Sequence, residues 1–494
     1  MNYVSTRDTA VKVSAAKAIA QGISTEGGLF VPDTFPLLKD EDFNTLKTID
    51  YKGRAKYVLK FFLNDFTEEE IEYCVNGAYT GSFKNEQPAP ISLVGKNVNI
   101  LELWHGPTCA FKDLALQLLP YLLTTSAKKV NDGKKTVILV ATSGDTGKAA
   151  LEGFKDVENT EILVFYPSDG VSAMQKLQMA SQEGSNVHVC AIKGNFDDAQ
   201  TGVKQIFTNA EVKEKLNSNN MLFSSANSIN WGRLAPQIVY YVSAYCDLLE
   251  RGEDIDGGFN VVVPTGNFGN ILAAYYAKKM GVPINKLICA SNANNVLTDF
   301  INTGVYDRNR AFYTTTSPSM DILISSNLER MLFEISGNDD KLVAALQADL
   351  AACGKFTVTG EIKEKFTELF WGGCCNDDDT AATIGKYFES YGYLADTHTA
   401  VALNVYEQYV AATGDDRATV IASTASPYKF AASVLSSISD ETADSEFATV
   451  KLLSEKTNTE IPEPLKALEN AVIRHNELCE KQDMLSIVYK SLGI

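Results

Sequence analysis

Lys112 lies in the stretch HGPTCAFKD, residues 105–113, between Phe111 and Asp113, just after a strand-like apolar run and at the start of a helical pattern. A lysine amine forms imines with aldehydes only when neutral, and an ordinary lysine, with a pKa of about 10.4, is almost wholly charged at neutral pH. Trp104 and Phe111 beside it, together with the positive end of a helix dipole, would disfavour the ammonium and suit Schiff-base chemistry. Taken alone, a lysine at a helix start is more often a plain exposed residue. The chemistry therefore requires a cofactor site elsewhere in the chain.

Three further turns supply candidates. PTGNFGN, residues 264–270, follows the run FNVVV and opens a helix; Gly266 and Gly269 allow the backbone to aim amides at a ligand. The helix N-terminus behind them carries roughly half a positive charge, which suits a phosphate ester. No Gly-Lys-Ser/Thr follows and the spacing departs from GxGxxG, which disfavours a P-loop and dinucleotide binding. Alone, the segment also reads as a tight strand-to-helix turn. ATSGDTG, residues 141–147, offers the hydroxyls of Thr142, Ser143 and Thr146 around Gly144 and Gly147 as a carboxylate clamp. Its other reading is a helix cap by Asp145 or Thr146. NSINWGR, residues 227–233, sets Arg233 near Asn227, Ser228 and Asn230, a donor group fit for phosphate. By itself, Arg233 reads as a salt-bridged helix residue.

The elements around these turns alternate. Strand-like runs at 97–103, 136–142, 161–167, 187–192, 221–225, 259–264 and 286–291 are separated by helical patterns, the first running from about Lys112 to Ala127. Short Val- and Ile-rich strands joined by helices imply mostly parallel sheets covered on both faces, a doubly wound α/β architecture whose ligands bind beyond the C-terminal strand ends. Each candidate turn falls at such an end. The first 95 residues lack the rhythm and read as a largely helical N-terminal domain. Residues 96–250 then form an α/β domain carrying Lys112, and residues 251–494 a second one carrying the glycine loop and C-terminal helices.

Composition narrows the function. At 494 residues with 45% hydrophobic content, the chain is long enough for two or three domains and a large cleft. No apolar run approaches the roughly 20 residues of a membrane helix, and the N-terminus lacks a secretory apolar block. A net charge of −18 argues against nucleic acid, although backbone dipoles can still bind small anions. Nine cysteines show no CxxC or zinc spacing, so neither a disulfide framework nor a metal site is expected, and a reducing cytoplasm fits best. The adjacent Cys374 and Cys375 read as part of a Gly- and Asp-rich loop.

In this order, HGPTCAFKD, ATSGDTG, NSINWGR, VPTGNFGN and SNANNVLTDFINTGVY closely resemble the threonine synthase family, of the pyridoxal-phosphate fold type shared with the tryptophan synthase β subunit. The resemblance extends through YVSTR, GGLFVP, SPSMDILISSNLER, HTAVA and STASPYKF, covering nearly the whole chain, and its length is that of the long fungal and bacterial form. It implies that Lys112 holds pyridoxal 5'-phosphate as an imine with Phe111 against the ring. By the same likeness, Gly266, Asn267, Phe268, Gly269 and Asn270 hold its phosphate, and Thr424 faces the pyridine nitrogen. Thr142, Ser143, Asp145 and Thr146 would take the substrate carboxylate, and Asn227, Ser228 and Arg233 the substrate phosphate. The implied reaction, the last step of threonine biosynthesis, converts O-phospho-L-homoserine and water to L-threonine and phosphate, in a cytoplasmic monomer.

The family usually reads STAHPAKF where this chain has Ser426 and Tyr428, which leaves details of specificity open. A phospho-lyase of the same fold would stop at 2-oxobutanoate and phosphate. A non-catalytic relative that only binds the cofactor would be expected to lose Lys112 or Arg233, and both are present. Dehydratases and sulfhydrylases fit the glycine loop but give NSINWGR no role.

Overall fold

The computed structural model describes residues 1–142, 144–168, 171 and 173–494. Its N-terminal part sets a small antiparallel sheet of β1 (Tyr3–Ser5), β2 (Asp8–Val13) and β3 (Phe30–Pro32) against four helices, Ala15–Gln21, Asp40–Lys47, Tyr51–Phe62 and Glu68–Tyr79. The last of these begins on a capping box in which Thr67 accepts from the Glu70 amide and Glu70 returns to Thr67, satisfying two end donors.

The strands that follow in chain order are β4 (Ile91–Val94), β5 (Val98–Glu102), β6 (Lys135–Ala141), β7 (Thr160–Pro167), β8 (Val187–Lys193) and β9 (Met221–Ser224). Beyond them come β10 (Phe259–Pro264), β11 (Ile284–Ser291), β12 (Val305–Asp307), β13 (Lys355–Thr357), β14 (Phe370–Cys374), β15 (Thr419–Ser423) and β16 (Glu477–Glu480). The two main sheets run in the order β14-β11-β10-β15-β5-β4 and β16-β8-β7-β6-β9. Pairing is parallel throughout except at the β4–β5 edge. The chain is thus mixed α/β with two mostly parallel sheets and a largely helical N-terminal region.

The sheets interleave in sequence. β5 lies beside β15 in the six-stranded sheet, and β16 pairs with β8 in the five-stranded one, so a cut at residue 250 does not separate them. The ELCE run of β16 carries one buried residue, Cys479, and is too short for strand alternation to show in sequence. The helix expected from Lys112 to Ala127 is broken into Asp113–Leu116 and Leu119–Val130. Pro120, at the start of the second piece, lacks an amide hydrogen and crowds the carbonyl four residues back, so one continuous helix is not available.

The long helix Trp231–Arg251 joins the layers. Most of its residues are buried, which is why its apolar residues are not confined to one stripe. Trp231 packs on Tyr3 and Phe62 from the N-terminal part, and Arg54 donates to Ser243 Oγ at 2.8 Å and Asp247 Oδ1 at 2.5 Å. The N-terminal region thereby braces the helix whose first turn carries Arg233. Cys374 closes β14 and Cys375 is buried, so this pair belongs to a strand end rather than to an open loop.

Candidate active site

Lys112 follows a loop stitched to the segment after β15. The Phe111 amide donates to Thr424 O at 2.9 Å, the Ser426 amide to Cys109 O at 3.0 Å, and Ala110 bridges Ala425. Cys109 takes a left-handed φ of 57°. Inside the loop Asp113 accepts from the Thr108 amide at 2.8 Å and its hydroxyl at 2.6 Å, while burial pushes the Asp113 carboxyl up to about 6. The Lys112 side chain is 12% exposed and its Nζ lies 4.7 Å from the centre of the Phe111 ring. Burial lowers the Lys112 pKa to about 8; Lys429 and Arg233 push the same way, against Asp145 and Asp113. A long helix dipole is not the cause, because the helix after Lys112 has only four residues.

At the end of β6 the chain turns through Gly144, whose φ of 154° and close contact with Gln175 suit only glycine. The Thr142 hydroxyl is taken up by this turn, accepting from the amides of Gly144 and Gly147 at 3.0 Å each. Ser143 lies outside the described residues, and Thr146 is half-buried. Asp145, the first helical residue, is 3% exposed, with Oδ2 3.8 Å from Lys112 Nζ and Oδ1 2.7 Å from Lys429 Nζ. Burial alone would raise its pKa, but Lys429 and Lys112 hold it well below the usual carboxylate range. Gln175 Nε2 donates to Asp145 Oδ1 at 3.1 Å and Ser319 Oγ to Oδ2 at 3.4 Å. The Ser319 amide donates to His398 Nε2 at 3.2 Å, and His398 Nδ1 bonds Asp396 Oδ1 at 2.8 Å, which fixes the ring tautomer.

After β10 the loop 264–270 forms a cradle. Phe268 adopts φ 63° at the N-cap of the helix Gly269–Lys279 and no side chain caps that end. Carbonyls of the loop are held from behind: Ser325 Oγ donates to Gly266 O at 2.6 Å and the Asn327 amide to Asn267 O at 3.1 Å. Asn270 accepts from Tyr241 OH, and its buried Nδ2 has no partner among the described residues. An uncapped helix end beside an orphaned amide donor fits an anion such as the cofactor phosphate.

A second anion-seeking group stands at the first turn of Trp231–Arg251. Arg233 is 3% exposed, burial lowers its pKa to about 10, and its Nε has no partner among the described residues. Its NH1 donates to Ala226 O at 2.5 Å, and no carboxylate pairs with it among the described residues. Asn227 is exposed, whereas Asn230 spends its side chain capping the helix at Gly232. Ser228 Oγ accepts from Asn327 Nδ2 at 3.3 Å, so Asn327 touches both anion cradles.

A family model described as "Pyridoxal-phosphate dependent enzyme" matches residues 87–356, flanked by "Threonine synthase N terminus" at 2–79 and "Threonine synthase, C-terminal" at 399–485. Threonine synthase of Saccharomyces cerevisiae is 36% identical over 465 residues, covering 88% of this chain and 89% of that one. The chain belongs to the threonine synthase family. A solved family structure, the PLP-bound threonine synthase from Brucella melitensis, superposes with a TM-score of 0.89 at 35% identity, covering 100% of this chain and 99% of that one. Human threonine synthase-like 1 is 40% identical over 455 residues, covering 88% of this chain; the chain spans 60% of that relative's length.

Within this family frame, the structure brings Lys112, Phe111, Thr424 and Asp145 together on one side and links Gly266–Asn270 to Ser228 through Asn327 on the other. Sequence reasoning passed over Lys429, Gln175, Ser319, Asn327 and the His398–Asp396 pair. Lys429 and Ser319 stand inside segments quoted for their resemblance, but nothing in local spacing shows that both reach Asp145. Ser426 accepts from the Tyr428 amide at 3.3 Å, and Tyr428, 2% exposed, donates to Thr459 O at 2.9 Å. The two departures from the family pattern therefore serve a short helical turn and the packing behind Lys429.

Proposed function

We propose that this chain holds pyridoxal 5'-phosphate on Lys112 and converts O-phospho-L-homoserine and water to L-threonine and phosphate. The observation that carries this reading is Arg233, a buried guanidinium with an orphaned donor and no counter-ion among the described residues. Burying a charge unpaired is costly, and a substrate dianion removes that cost on binding. The cofactor phosphate has its own cradle at Gly266–Asn270, so the Arg233 site serves a second phosphate. This need distinguishes a phosphorylated substrate from the plain amino acids of dehydratases.

When bound, the cofactor supplies an electron sink that makes protons near the substrate amine acidic. Lys112, freed by the substrate amine, takes the Cα proton; an amine with a pKa of about 8 is a competent base near neutral pH. Arg233, with Asn227 and Ser228, holds the phosphate as it leaves Cγ and stabilises its developing charge. Thr142, Asp145 and Thr146 belong to the turn assigned to the substrate carboxylate, and Ser143, outside the described residues, is given the same role by the resemblance alone. Thr424 offers the pyridine nitrogen a neutral hydroxyl. A Cβ proton is lost as the phosphate leaves Cγ, Cγ then regains a proton, and water adds at Cβ; exclusion of water until that point separates threonine from 2-oxobutanoate.

The working form is proposed as a monomer, on the resemblance to the long form of the family, and the compartment as cytoplasm, supported by nine free cysteines. The deciding experiment incubates the cofactor-loaded protein with O-phospho-L-homoserine and follows threonine, 2-oxobutanoate and phosphate together. Threonine and phosphate in equal amounts are expected. 2-Oxobutanoate as the main product would replace this reading with the phospho-lyase, and an unconsumed substrate would sink both. Borohydride reduction should fix the cofactor covalently to Lys112.

A further inference from the structure

Lys429, just after β15, has a side chain with no solvent exposure. Its Nζ donates to Thr108 O at 2.9 Å and lies 2.7 Å from Asp145 Oδ1. Lys112 Nζ reaches the same carboxylate only at 3.8 Å, on the other oxygen. Two lysines thus share one acid unequally, and the nearer one is not the reacting amine. A contact ion pair between Asp145 and Lys112 would stabilise the ammonium form of Lys112 and withdraw its lone pair.

We propose that Lys429 is a positioning residue that occupies Asp145 and braces it against the Lys112 loop, so that the carboxylate cannot close on Lys112 and the amine stays available in neutral form. The geometry supports more than a packing role. Thr108 belongs to the loop that carries Lys112 and Asp145 begins the helix after β6, so the Lys429 ammonium fixes the separation of the two. Gln175 and Ser319 complete the shell on Asp145 at 3.1 and 3.4 Å. The charges facing Lys112 are Asp145, Lys429, Arg233 and Asp113; those facing Lys429 are Asp145, Asp113 and Lys112, with the Cys109 thiol beside them. Removing Lys429 takes away a neighbouring positive charge and releases a negative one, and both changes favour protonated Lys112. The proposal rests on Lys112 being the reacting amine of the reading above.

The test is competitive acylation of lysines in the full-length chain without cofactor, read at Lys112 by mass spectrometry as a function of pH. In the parent, half-maximal labelling is expected near pH 8. Lys429→Met should move that midpoint up by roughly one unit or more, cutting the neutral amine at pH 7 about tenfold. Lys429→Arg should keep it near the parent value, and adding Asp145→Asn to Lys429→Met should bring it back down. A Lys429→Met chain that melts cooperatively like the parent with an unmoved Lys112 midpoint overturns the proposal. If Lys429→Met does not fold, Asp145→Asn alone decides: it must lower the midpoint, and an unchanged midpoint is equally fatal. The assay contains no substrate, so a chain that makes no threonine would sink the proposed reaction without touching this result.

Discussion

The two proposed anion cradles of this molecule are built on opposite principles. At Gly266–Asn270 the donors are mainly backbone amides at an uncapped helix end, and no formal protein charge belongs to the loop itself. At Asn227–Arg233 the donor is a buried guanidinium that lacks a counter-ion among the described residues. A permanently held cofactor needs shape and dipoles, which cost little while the site is being assembled. A substrate that must arrive, lose its phosphate and leave is served by a strong charge whose burial is compensated only during turnover. Asn327 couples the two, donating to Asn267 O in one and to Ser228 Oγ in the other.

The comparison breaks most visibly at Arg233. Arg233→Met keeps the length of the side chain and removes its charge, so kcat/KM for O-phospho-L-homoserine should fall roughly 10²- to 10³-fold, the scale of a lost buried ion pair. Cofactor affinity, followed by fluorescence titration, should change less than about threefold. Inorganic phosphate should raise the melting temperature of the parent more than that of the variant. Equal losses of substrate and cofactor binding would show that the cradles are one site.

A smaller effect is expected at the backbone cradle, where shape decides. A Cβ added at Gly266 would stand 2.9 Å from Ile322 Cδ1 and 3.0 Å from Ser319 O, whereas at Gly269 the nearest atom is Asn327 Nδ2 at 3.3 Å. Gly266→Ala should weaken cofactor binding about tenfold, near 1.4 kcal/mol, while Gly269→Ala changes it by less than about threefold. Because Ser319 also touches Asp145, the Gly266 variant should disturb substrate turnover at saturating cofactor too. Indistinguishable alanine variants would mean that the loop binds by charge alone.

The same contrast explains what could be read from sequence. FNVVVP is a strand at the stated limits because an uninterrupted apolar run ending in Pro-Thr-Gly has few other solutions in a parallel sheet. The glycine loop is legible because its proposed role rests on backbone conformation itself. Arg233 and Lys112 stood out as residue types, but their burial, and the lack of a carboxylate partner for Arg233 among the described residues, is a property that no local pattern encodes. Lys429 was invisible for the same reason: its acid begins the helix that follows β6, a strand of the other sheet. The place of β5 beside β15, and of β16 beside β8, is likewise set by long-range pairing between segments with no shared local signal.

The smallest effect is expected behind the site. Tyr428 replaces a small family residue, yet its ring is buried and its hydroxyl bonds Thr459 O at 2.9 Å and Thr459 Oγ1 at 2.7 Å, tying the turn that carries Lys429 to the C-terminal helices. Tyr428→Phe removes those bonds without opening a cavity, so it should cost about 0.5–1.5 kcal/mol. For a chain of this size that is a drop of roughly 0.5–1.5 °C in the melting temperature. Turnover and the Lys112 labelling midpoint should stay within twofold and a few tenths of a unit, about the noise of such measurements. A larger kinetic effect than a thermal one would mean that the Tyr428 tether sets the position of Lys429 directly, and the charge-bearing half of the site would then extend to the C-terminal segment that holds Thr459.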